Sequence, residues 1–586
     1  MTRQDIEDKI ALLPKGGITI KRVKGSNGSY YEYHFLQWTE NGKQKSRRLK
    51  TEELDNIKEQ IEERKKLERM LASYDDLTEA GTPGFRTEVR IGSYLLSSVA
   101  HVKDLKKRSG YRYISDYVYG NEFNKVFILY GLRRTGKTTL IEQVIAEMKY
   151  EDLMRAAFIQ ITRKDSISDL NADLKLLEKR GYRYIFIDEV TFLTDFIEGA
   201  ALLSDIYAAA GMKIVLSGTD SLGFWITKSN ELYDRCRLLH TTFIPYREFA
   251  SVLGIDGIDN YIQYGGTMSM SGVHYNEWAF ADKRSTDEYV DSAIAQNIQH
   301  SLKYYQYEGH FRHLYSLYEK NELTGAINRV IEDINHRFTI DVLEREFRSN
   351  DLRISANNLR KDRSAPTTIL DDIDVAGFTE RLKDLLEIKN REECSVNIDE
   401  THVYQIKEYL SALDLIEEVN VVDNDASGRG RQHIVFTQPG LRYSQAKSFI
   451  ESLRPDPLFK ELSAEEQKYI IMRIMNEIKG RMAEDVVLLE TKLAKPQMNV
   501  FKLQFSDGEF DMVIADPDKL EAELYEVKYS KEPVIEQARH LMDEKKCGAA
   551  EFRYGRITKK TVLYRGNDTE IGGIRYQNIE SYLMGL

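Results

Sequence analysis

The chain has 586 residues, 42% of them hydrophobic and 30% charged, and a formal net charge of −11. This profile predicts several domains with their own cores, excludes a disordered chain and one with an apolar run of the roughly 18 residues that cross a bilayer, and leaves nucleic-acid binding to local basic patches. The widely spaced Cys236, Cys394 and Cys547 argue against disulfides and a zinc ribbon, and Met1-Thr-Arg-Gln-Asp does not read as a secretory leader, so the expected setting is cytoplasmic.

Residues 1–72 read as a basic, β-rich domain plus a charged helix. Ile18-Thr-Ile-Lys-Arg-Val and Tyr30-Tyr-Glu-Tyr-His-Phe-Leu-Gln-Trp38 have strand composition, with Gly25-Ser-Asn-Gly28 and Asn41-Gly42 as turns. Aromatics interleaved with lysines on a small sheet suit a nucleic-acid backbone. A solvated docking sheet is the other reading. From Thr51 to Leu71 the apolar Leu54, Ile57, Ile61, Leu67 and Met70 share a helical face, and residues 73–95 read as a linker.

Residues 96–265 alternate between strand and helix patterns, the signature of an α/β parallel-sheet core. The apolar run Lys125-Val-Phe-Ile-Leu-Tyr leads into Gly131, Leu132, Arg133, Arg134, Thr135, Gly136, Lys137, Thr138 and Thr139, which opens a helix. The spacing G-x-x-x-x-G-K-[ST] is that of a P-loop: glycines let amide N–H groups turn toward phosphates, Lys137 supplies a cation and Thr138 a Mg²⁺ ligand. ATP with Mg²⁺ is the expected ligand. Tyr182-Arg-Tyr-Ile-Phe-Ile187 then ends in Asp188 and Glu189, read as the Mg²⁺-holding acid and the base for the attacking water. Lys213-Ile-Val-Leu216 ends in Ser217 and Thr219, either placed to sense the γ-phosphate.

These segments, with Ile244-Pro-Tyr-Arg-Glu-Phe249 and Tyr261-Ile-Gln-Tyr-Gly-Gly-Thr-Met268, resemble bacterial and archaeal AAA-type ATPases with a C-terminal domain similar to restriction endonucleases. The resemblance covers most of residues 100–586. It implies that Arg235 or Arg237, just before the last core strand, reaches the γ-phosphate of a neighbouring copy, and hence a homo-oligomer. An ion pair with Asp220 or Asp234 is the alternative for that arginine.

Residues 266–395 read as a helical region, and 396–455 as a winged-helix-like unit in which Arg429 and Arg431 at the hairpin tip face DNA phosphates or solvent. Residues 456–586 carry Asp511, then Glu526-Val-Lys528 on a strand meander, with Glu484 on an upstream helix. Alternation puts Glu526 and Lys528 on one strand face. Glu484, Asp511 and Glu526 would hold a divalent metal and Lys528 would position a hydrolytic water. With the resemblance this predicts a PD-(D/E)XK nuclease-like domain, although the proline of that motif is missing before Asp511. The function expected is ATP hydrolysis coupled to a DNA-handling module. The alternative is an ATP-dependent switch that uses a silent nuclease-like domain to bind partners.

Overall fold

The computed structural model describes residues 9–24, 30–40, 43–50, 53–78, 84–193, 196–219, 235–241, 243–267, 283–304, 311–348, 398–424, 431–452, 454–455, 457–460 and 463–586. Arg429, Asp220, Asp234 and part of the expected helical region lie outside them. The fold is mixed α/β, built on three sheets. No helix among the described residues is long and apolar enough to cross a membrane.

The first sheet joins β1 (Gly17–Lys24), β2 (Tyr30–Glu40) and β3 (Lys43–Arg48) antiparallel in chain order. Leu36 and Leu49 bury against Ile61 of the following helix, Leu54–Thr78.

The second sheet is the predicted core. Its order is β4 (Glu88–Ile91), β6 (Ala156–Gln160), β7 (Tyr184–Asp188), β8 (Lys213–Gly218), β5 (Val126–Tyr130), β9 (Cys236–His240), parallel except for β4 at one edge. A parallel sheet is covered on both faces, and strand alternation supplies both covers. Val126 and Ile128 of β5 pack with Leu170, Leu174 and Leu177 on one side. Phe127 and Leu129 meet Leu140, Ile141 and Val144 of the helix Lys137–Ala146 on the other. Because the registry pairs Tyr130 with both Gly218 and His240, and Gln160 with Asp188, the strand ends carrying the sequence motifs share one rim.

The third sheet has eight strands: β11 (Arg431–Phe436), β10 (Ile416–Asp423), β12 (Asn499–Phe505), β13 (Gly508–Asp516), β14 (Glu521–Val527), β15 (Arg556–Tyr564), β17 (Ile574–Asn578), β16 (Thr569–Ile571). The hairpin β10–β11, preceded by the helix Glu400–Ala412 and followed by Pro439–Glu451, has the element order expected of a winged helix. It does not stand apart. Val421, Val422 and Asp423 of β10 pair in parallel with Lys502, Leu503 and Gln504 of β12.

Packing also crosses the expected boundary at 265. Phe243, Tyr246, Phe249 and Tyr261 share one buried core with Ile474, Ile478, Val487 and Leu488 of the long helix Ala464–Ala494. The segment after β9 therefore packs as part of the C-terminal half. Its hydrophobic residues are spaced for a helix face, a pattern that does not reveal which sheet the face meets.

Candidate functional site

The loop after β5 turns through two left-handed glycines, Gly131 (φ 140°) and Gly136 (φ 81°), with Arg134 also left-handed at φ 66°. A Cβ on Gly131 would stand 2.2 Å from the carbonyl oxygen of Thr241, so only glycine fits there. Thr135 is buried and donates its hydroxyl to Leu132 O at 2.9 Å. The chain then enters the helix Lys137–Ala146, whose positive end faces the loop.

Three strand ends converge on that helix. Thr138 Oγ1 donates to Asp188 Oδ2 at 2.9 Å, and Ser217 donates to the other oxygen of Asp188. Glu189 sits beside them at φ 55°, where the Thr219 hydroxyl donates to its Oε2 at 3.3 Å. Burial raises the Glu189 carboxyl, and the neighbouring Asp188 charge raises it further, against the pull of Lys137. Lys137 is itself lowered to about 8 by burial despite the Glu189 and Asp188 charges, and its ammonium donates to Gly131 O at 3.0 Å and Leu132 O at 2.8 Å. Thr138 and Asp188 present adjacent hard oxygen donors, a set that fits Mg²⁺.

Several of the expected residues face elsewhere. The Arg133 guanidinium donates to Ser292 O at 3.1 Å, and that of Arg134 lies 4.9 Å from the centre of the Tyr289 ring, so both side chains reach into the helical region. Leu132 is fully buried among Val290 and Ile294 of that region and Leu413 beyond it. Thr139 is half-buried on the helix. Arg235 lies beside Val126, at the far end of β9 from the loop, and pairs with Asp205 at 2.8 Å. Arg237 pairs with Glu122 at 3.6 Å. Within its own chain neither arginine is on the phosphate rim, because β9 runs parallel to β5 and the pair precedes or opens the strand.

The structure adds partners that no local spacing announces. Arg108 donates to Thr135 O in the loop and to Phe243 O at 3.3 Å, and pairs with Glu248. Glu248 in turn accepts from Ser109 N at 2.9 Å and Ser109 Oγ at 2.6 Å. This gives the IPYREF stretch a physical role as the tie between loop and C-terminal half. Asn297 is likewise buried against Thr219, whose hydroxyl lies 3.4 Å from its Oδ1.

A second cluster lies where the long helix crosses β13. Carboxylate oxygens of Glu484, Glu509 and Asp511 come within 4.8 Å of one another. Glu509 and Asp511 are two apart on one strand and share a face, a signal present in the sequence that the D…E-x-K pattern leaves out. Glu526 stands next to this trio rather than in it, held by Lys528 Nζ at 2.7 Å. The same ammonium donates to Asp511 Oδ2 at 3.2 Å. On the opposite side Arg481 pairs with Glu484 at 2.7 Å and Glu509 at 3.0 Å, and Lys502 with Glu484 at 3.2 Å. Burial raises Glu526 and Glu484. Asp511, equally buried, is pulled down to about 2 by Lys528, Arg481 and Lys502. Oxygen-only donors of this kind suit Mg²⁺ or Mn²⁺ rather than zinc.

Residues 123–250 match the AAA domain family. Residues 2–59 match a family described as a domain of unknown function, DUF6788. No curated protein matches the chain. Among solved structures it is similar to the S. cerevisiae Hsp104:casein complex in its extended conformation, at 16% identity over 27% of this chain and 31% of that one, TM-score 0.23. It is also similar to C. elegans PCH-2, at 12% identity over 53% and 76% of the two chains, TM-score 0.23. A third is the Aeropyrum pernix ORC1 protein in complex with DNA, at 13% identity over 62% and 98%, TM-score 0.23. At these TM-scores the likenesses say nothing about what the chain binds. The match over residues 123–250, joined to the loop, the two acids and the parallel strand order, supports an AAA-type P-loop ATPase core.

Proposed function

We propose that the protein binds and hydrolyses ATP and couples this to a C-terminal, nuclease-like module that acts on nucleic acid. The observation that carries the reading is the contact of Thr138 with Asp188, which brings the loop and the acid-bearing end of β7 to one point. Loop amides and Lys137 bind the phosphates, the ammonium exchanging the Gly131 and Leu132 carbonyls for phosphate oxygens. Thr138 and Asp188 would hold Mg²⁺, which when bound offsets negative charge on the phosphates. Glu189 orients the attacking water and takes its proton, its raised basicity suiting it to that task. Thr219 fixes the position of Glu189. Arg235, at the far end of β9 from its own loop, would act on the nucleotide of a second copy.

In the C-terminal module Glu484, Glu509 and Asp511 would hold a divalent metal, which supplies Lewis acidity toward a phosphodiester. Glu526 and Lys528 then position the water. A second reading has its own observation: Arg481, Lys502 and Lys528 already neutralise these acids, as in a silent fold kept for partner binding.

Two variants test the proposal. Lys137→Ala should abolish binding of a fluorescent ATP analogue and ATP turnover, and wild-type turnover by purified variant would remove the loop as the site. Asp511→Ala should abolish Mg²⁺- or Mn²⁺-dependent cutting of plasmid, linear and branched DNA by the wild type. Absence of cutting by the wild type, with ATP turnover intact, selects the second reading.

A further inference from the structure

The small sheet β1–β3 has two unlike faces. Alternation puts Leu36 and Trp38 on one, packed with Leu49, Leu54 and Ile61. The registry puts Lys21 opposite Tyr33, Phe35 opposite Arg48 and Gln37 opposite Ser46 on the other. There Lys21 Nζ stands 5.0 Å from the centre of the Phe35 ring, and the Arg48 guanidinium 3.8 Å from that of Tyr33. Lys21, Ser46 and Arg48 are exposed, and Tyr33, Phe35 and Gln37 half-buried. In a chain with a net charge of −11, no Asp or Glu occupies any position of this face within the three strands. Glu32 alternates onto the opposite face, where it pairs with Arg22 at 2.6 Å.

A sheet kept only for structure has no need of aromatic rings on the side away from its helix, nor of a face cleared of acids. Rings two apart on the central strand offer successive stacking platforms about 6.6 Å apart along the chain. A base that stacks on either ring displaces the cation now over it toward the rim, within reach of the flanking backbone phosphate. Gln37 and Ser46 add hydrogen-bond donors and acceptors at the rim. Bases in a duplex already have both faces stacked, so rings on a flat sheet select unpaired bases.

We propose that this face binds single-stranded nucleic acid, with Tyr33 and Phe35 stacking on bases and Lys21 and Arg48 on the flanking phosphates. The site is independent of the ATPase and acid-cluster readings above. The test is fluorescence anisotropy of labelled 15-mers, oligo-dT, oligo-rU and a duplex, with the full chain in EDTA so that nothing is cut. Lys21→Ala with Arg48→Ala should weaken binding at least about tenfold and reduce the slope of log K against log salt by about 1.4, two phosphate contacts at about 0.7 each. Tyr33→Leu with Phe35→Leu, which keeps apolar side chains in place, should weaken it at least about fivefold with the slope unchanged. Arg47→Ala, which removes a cation from the opposite face of the same sheet beside Leu36, should bind as the wild type does, separating this face from general charge. Binding to dT alone, to rU alone or to both supports the site and names its source. Equal affinity for duplex and single strand, or affinity within twofold of wild type in both double variants, overturns it.

Discussion

At the scale of single residues, the phosphate loop is the part of the molecule written most openly in the sequence. Its chemistry is contiguous: main-chain amides, one ammonium and one hydroxyl over a handful of positions, so spacing alone reveals it. Gly131 shows how little slack the loop has. Alanine there meets both a left-handed φ of 140° and the Thr241 carbonyl 2.2 Å from its Cβ. Gly131→Ala should lower the melting temperature and weaken ATP binding at least about tenfold, whereas alanine at Gly181, whose Cβ has open space, should leave binding intact. Titration calorimetry with ATP checks both. Arg108 and Glu248 were not legible, because 140 positions separate them and each alone is an ordinary surface charge type. Glu509 was within reach of the period-2 argument that found Glu526 and Lys528. The pattern D…E-x-K has no place for it, because its first acid is Asp511.

At the scale of elements, helices and strands of the core follow from apolar runs and turn chemistry, and their order follows from strand–helix alternation. The long-range pairing of β10 with β12 does not follow, since a strand carries no local mark of a partner about 80 residues away in the chain. What fastens the hairpin to the long helix is a buried polar knot. Asp485 accepts from Arg442 Nη1 at 2.5 Å and lies 2.6 Å from His433 Nε2, while Arg442 also donates to Asn335 Oδ1 at 3.1 Å and Ile434 O at 2.8 Å. Burial pushes the Asp485 carboxyl up, and His433 and Arg442 more than reverse this, holding it at about 2. The stabilisation is therefore present above the ordinary aspartate range and is lost as pH falls toward 2. Asp485→Ala strands Arg442 in the core and should cost about 3–5 kcal/mol, read as a drop in the unfolding midpoint at pH 7. The difference from wild type should shrink as the pH is lowered.

At the scale of the whole molecule, the two halves meet through groups that composition and periodicity treat as unremarkable surface charges. Glu490 of the long helix accepts the Tyr246 N–H at 2.6 Å, Glu580 accepts that of Ile258 at 2.9 Å, and Asp259 is gripped by Tyr529 and Arg565. Burial pushes the Glu490 carboxyl up to about 7. A buried acid whose pKa is raised favours the fold while protonated, and that contribution fades as pH rises through about 7. Glu490→Gln keeps an oxygen for the Tyr246 N–H without the charge. Its stability relative to wild type should rise between about pH 4.5 and 7 by at most about 3 kcal/mol, and the two should coincide at lower pH. Thermal melts across that range decide it.

The union of β10 with β12 has a mechanical consequence. Leu132 at the phosphate loop is wedged into the same apolar packing as Leu413 and Ile416, and Ile416 begins the strand that leads into the slab bearing Asp511. Inter-strand hydrogen bonds join the two strands across that seam at Val421, Val422 and Asp423. Under the proposed function, a displacement that starts at the loop would pass through this packing toward the strands that bear the acids.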